Sequence, residues 1–60
     1  MTEREHMVVE AFLRAYRDGD WTYTYIVLAL EDDERFGWMS DEAKQAVYKG
    51  IEDIDHGNTN

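Results

Sequence analysis

A chain of sixty residues that contains no cysteine has to hold itself together by packing alone. At this size folding buries only about 60% of the surface that the unfolded chain exposes, so the core is marginal. Small domains compensate with disulfides, a structural metal or association. Disulfides are excluded here, and with no thiol and only two histidines, His6 and His56, the ligand sets of structural zinc are missing too. Association with a second copy or with a partner is the route that remains. The lack of cysteine fits a reducing cytoplasm.

Three segments carry a helical pattern. In the first, residues 3–18, Thr2 followed three residues later by Glu5 has the form of a capping box, and Val8, Val9, Ala11, Phe12, Leu13, Ala15 and Tyr16 share one broad face. Gly19 stands where a left-handed residue ends a helix. The last segment, residues 41–55, begins with Ser40 as cap and Asp41 and Glu42 in its first turn. Its apolar face, Ala43, Ala46, Val47, Gly50, Ile51 and Ile54, is made of small residues that suit close contact with another helix. Residues 56–60 are polar and contain glycine, which predicts a disordered tail.

The middle segment, residues 21–35, is ambiguous. Trp21-Thr22-Tyr23-Thr24-Tyr25-Ile26-Val27 is rich in strand-favouring residues, but a lone strand between two helices leaves its backbone groups unpaired. Asp20 can cap a helix, Leu28-Ala29-Leu30-Glu31 favours one, and Glu31 and Arg35 are spaced as an i,i+4 ion pair. The sequence predicts an all-α, compact three-helix domain over residues 1–55, dimeric through Trp21, Tyr25 and Leu28. The alternative is an α-β-α chain whose middle strand pairs across a dimer.

Fourteen acidic residues against six basic ones give a formal charge of −8. Direct binding to nucleic acid or to an anionic membrane is disfavoured, because each requires a positive surface. A charged, mixed-sign N-terminus with no long apolar run after it reads as no signal peptide, and the longest apolar stretch, residues 25–30, falls far short of the roughly 20 residues that span a bilayer. A soluble cytoplasmic protein is expected.

Chemistry finds little purchase. Ser40, the chain's one serine, already serves as a cap, and the four glycines are isolated, so neither an activated nucleophile nor a phosphate loop is expected. The run Glu31-Asp32-Asp33-Glu34 lacks the alternating ligands and glycine of a calcium loop, and Asp53, Asp55 and His56 form at best a weak metal set. No catalytic residue, metal or cofactor is expected.

Trp21, Tyr23, Tyr25, Phe36 and Trp38 are more aromatic surface than three short helices easily bury. Either Trp21, Tyr25 and Phe36 fill the core, or part of the set is an interface anchor, since Trp and Tyr are enriched at hot spots. In length, acidity and absence of cysteine the chain resembles the short accessory proteins of phages and mobile elements; this resemblance is one of type and rests on no motif. The expected function is that of a small acidic regulator or inhibitor that covers a surface on a larger protein, the partner having a basic surface. The contact residues expected are Glu31, Asp32, Asp33, Glu34, Trp38 and Asp41, which lie where two helices are joined. The alternative is a nucleic-acid mimic that blocks a DNA- or RNA-binding protein.

Overall fold

The computed structural model describes residues 1–57. Helix α1 spans Glu3–Asp18, α2 spans Tyr23–Asp32, a 3-10 turn covers Glu34–Phe36, and α3 spans Asp41–Gly57. The fold is all-α, and no strand occurs among the described residues.

The caps of α1 are those expected. Thr2 Oγ1 accepts from the Glu5 N–H at 3.1 Å, while Glu5 Oε1 accepts from the Thr2 N–H at 2.9 Å. At the other end Gly19 has φ 82°, its N–H reaches Tyr16 O at 3.2 Å, and the Asp20 N–H reaches Ala15 O at 2.9 Å. A left-handed residue turns the chain there, which favours glycine because it has no Cβ to clash.

Helix α2 is shorter than residues 21–35. Its cap is Thr22, whose Oγ1 accepts from the Tyr25 N–H at 3.2 Å, rather than Asp20. Trp21 therefore precedes the helix and its ring is free to fold back onto Phe12, 5.2 Å between centroids and edge-on. The helix stops because Asp33 is extended at ψ 118° and its carboxylate accepts from the Arg35 N–H at 2.9 Å, which starts the 3-10 turn. The expected Glu31–Arg35 pair does not form. Arg35 instead grips Asp33 through Nη2 at 2.7 Å and Nε at 3.1 Å, and Glu31 accepts from the Tyr48 hydroxyl at 2.8 Å. Helix prevails over strand propensity here because Ile26, Ala29 and Leu30, at i, i+3 and i+4, all bury on one side.

Helix α3 runs through His56 and Gly57, two residues further than expected, with Glu52 and His56 3.6 Å apart across its last turn. The rest of the expected tail, residues 58–60, lies outside the described residues.

Helices α1 and α3 run in the same direction. Glu5 meets Ser40 near their starts, Leu13 meets Gly50 midway, and Tyr16 meets Asp55 near their ends. A Cβ placed on Gly50 would lie 2.5 Å from Leu13 Cδ1, so the small-residue face expected on α3 does admit α1 closely. Parallel packing sets two positive helix ends side by side. The Glu5 carboxylate, 6% exposed, answers both: Oε1 takes the Thr2 N–H and Oε2 takes the Ser40 N–H at 2.8 Å. Between the helices lie Val9, Phe12, Ile26, Ala29, Leu30, Met39, Ala43, Val47 and Ile51.

Hydrogen bonds from the Thr2 and then the Ser40 backbone hold the Glu5 carboxyl down to about 2, against an ordinary value of 4.5. The unfolded chain takes up this proton first as pH falls, so the Glu5 contribution is complete above about pH 4.5 and is lost towards pH 2. Glu5→Gln is expected to lower Tm at neutral pH by roughly 5 °C or more and to flatten the acid limb of Tm against pH. Gly50→Leu, which forces α1 from α3, is expected to cost about 1–3 kcal/mol in urea unfolding.

Candidate interaction surface

Ile26 and Leu30 turn inward, Ala29 stands at the border of the core, and the flank of α2 beyond Ala29 turns out. Tyr25, Leu28, Ala29 and Asp32, at i, i+3, i+4 and i+7, line an open groove closed at one end by Asp33, Glu34 and Arg35. This is the spacing with which a helix meets another helix, and no element among the described residues covers it. Tyr25 is 47% exposed and Leu28 52%. Ala29 forms the low point between them.

The residues expected at a dimer seam divide. Tyr25 and Leu28 are exposed, whereas Trp21 is half-buried between Phe12 and Tyr25, whose ring centroid is 5.1 Å away. Tyr25 is thus a surface residue and not a core one, while Trp21 and Phe36 pack against the core and flank Phe12 edge-on at 5.2 Å each.

The residues expected to touch a partner divide as well. Asp32, Asp33 and Glu34 line the groove, and Glu31 is exposed beside it with Tyr48 as its hydrogen-bond donor. The side chain and backbone N–H of Arg35 hold the Asp33 carboxyl below its ordinary range, so this acid is committed to an internal pair. The Asp32 and Glu34 carboxylates have no hydrogen-bond or ion-pair partner among the described residues. Trp38 and Asp41 do not line the groove. They lie by the starts of α1 and α3, where the Arg4 guanidinium sits 4.2 Å from the Trp38 ring centroid.

Arg4 and Ala29 are the parts of this surface that sequence reasoning did not single out. Nothing in the sequence ties Arg4 to Trp38, thirty-odd positions away. Ala29 was legible, since it follows Tyr25 by one helical turn. Exposed Met7 and Tyr23 add apolar surface on α1 and at the start of α2. Ser40 Oγ accepts from the Ala43 N–H at 3.2 Å, as a cap should. Among the described residues no three His, Cys, Asp or Glu side chains are grouped so as to hold a metal ion.

Fold and surface together define a class: an acidic, all-α, three-helix domain with an aromatic stripe on its middle helix. No protein-family model matches the chain, and no curated protein or solved structure matches it. No helix among the described residues is long and apolar enough to cross a membrane.

The division between surface and core has a measurable consequence. Leu28→Ser is expected to change unfolding free energy by no more than about 0.5 kcal/mol, as at ordinary surface sites, and Tyr25→Ala, which loses the ring against Trp21, by about 1 kcal/mol. Trp21→Ala removes one of the two rings against Phe12 and is expected to cost about 2 kcal/mol or more. Urea titrations followed by circular dichroism separate the two cases.

Proposed function

We propose that this chain is a small acidic protein-binding regulator or inhibitor, of accessory type, that acts by covering a surface on a larger cytoplasmic protein. The observation that carries the reading is the α2 stripe: Tyr25 and Leu28 stand exposed around Ala29, and two carboxylates without internal partners, Asp32 and Glu34, stand at its end. An aromatic anchor beside an aliphatic one is the make-up of a binding hot spot, and the carboxylates select what may approach. A formal charge of −8 steers association towards a basic surface.

A homodimer through Trp21, Tyr25 and Leu28 would use the same stripe. The two occupants respond oppositely to salt. Like-charged copies repel, so added salt favours self-association, whereas a basic partner is held less tightly as salt rises. The nucleic-acid mimic has weaker support, because Arg35 sits clamped within the acidic run and interrupts a continuous negative track.

The test is affinity capture with covalent cross-linking at low and high salt, alongside solution mass. Leu28→Asp is expected to abolish capture while leaving helicity unchanged, and the wild-type contact is expected to weaken about tenfold or more at high salt. A capture profile that Leu28→Asp leaves unaltered would sink the reading.

A further inference from the structure

On the far edge of α2 from the stripe, the three helices each contribute one tyrosine to a shared hollow. Tyr16 of α1, Tyr23 of α2 and Tyr48 of α3 line it with Ile51, and Glu52 and Asp55 add two carboxylates; the hollow has a volume of about 450 Å³. His56, 3.6 Å from Glu52, completes the lining. We propose that this hollow is a binding site for an organic cation, an alkylammonium or guanidinium group.

Three observations point the same way. First, the rings are not occupied by one another: the stacked and edge-on pairs among the described residues are Phe12 with Trp21, Phe12 with Phe36, and Trp21 with Tyr25. Second, two of the hydroxyls are turned into donors. The Tyr16 hydroxyl donates to Asp55 Oδ1 at 2.7 Å and the Tyr48 hydroxyl to Glu31 Oε1 at 2.8 Å. A phenol that donates to a carboxylate leaves more electron density on its ring, and the ring face is what attracts a cation. Third, no lysine or arginine lines the hollow, in contrast to the groove on the other flank, where Arg35 stands. Burial and then the Glu31 contact push the Tyr48 phenol up to about 12, so it stays a neutral donor at any working pH.

Aromatic faces with nearby carboxylates attract a diffuse organic cation because its charge is weakly hydrated and its substituents profit from apolar contact. Such a group has two sources, a free small molecule or the side chain of a protein partner. The site is separate from the α2 groove and stands or falls independently of the function proposed for that groove.

The experiment is an NMR titration of the isotope-labelled full chain with choline, with the uncharged carbon isostere of choline, and with N-acetyl-arginine amide. Saturable shifts at Tyr16, Tyr23 and Tyr48 with choline or with the arginine amide support the site, and the tighter of the two identifies the source. The isostere is expected to bind about tenfold more weakly, and Tyr23→Leu, which keeps apolar bulk but removes the ring at an exposed position, to weaken cation binding about fivefold. Equal binding of the isostere, shifts centred elsewhere, no saturation with either cation, or an unchanged affinity in Tyr23→Leu would each overturn the proposal.

Discussion

Two helices that lie side by side and point the same way bring their positive ends together, an arrangement that repels unless something negative stands between. In this protein that something is the Glu5 carboxylate, one oxygen on the Thr2 N–H of α1 and the other on the Ser40 N–H that opens α3. Thr2 and Ser40 return the favour with their own hydroxyls, on Glu5 and Ala43. Four capping bonds thereby become one cluster. The acids of the first turns, Glu3, Asp41 and Glu42, add diffuse negative charge around it.

With α1 and α3 side by side and parallel, α2 completes the core between them. It adds Ile26, Ala29 and Leu30 to the core that holds Phe12 and Val47, and the close approach of Leu13 to Gly50 draws α1 and α3 together at mid-length. A helix of ten residues that buries one side leaves its two edges and its back in solvent. Two open surfaces follow from that: the Tyr25–Leu28 stripe on one edge, and the hollow that Tyr23 lines with Tyr16 and Tyr48 on the other.

Acidity plays a different part from the aromatic residues. Charge is spread over every element, and like charge of this kind opposes the association that exposed aromatic surface invites. It does not by itself select a partner, because several of the acids are engaged internally: Glu5 as a cap, Asp33 with Arg35, Glu31 with Tyr48, and Asp55 with Tyr16. Of the acids that line the α2 groove, only the Asp32 and Glu34 carboxylates have no partner among the described residues.

Local signals in the sequence were enough to determine that the first and last segments are helical, where α1 begins and ends, and where α3 begins, because caps and left-handed glycines act through hydrogen bonds a few residues long; the middle segment stayed open between helix and strand until its buried side was known. They also marked Trp21, Tyr23, Tyr25, Phe36 and Trp38 as more aromatic surface than three short helices easily bury. They could not determine which aromatics were surplus, since Trp21 and Tyr25 differ in nothing local; the Thr22 cap leaves Trp21 outside the helix to pack on Phe12 and turns Tyr25 outward. Nor could they show that Glu31 would choose Tyr48 over Arg35, that Arg4 would cover Trp38, or that Glu5 would serve two helices. Those contacts join residues far apart in the chain, and only the relative placement of whole helices, set by burial of apolar area and not by any pair of neighbours, brings them within reach.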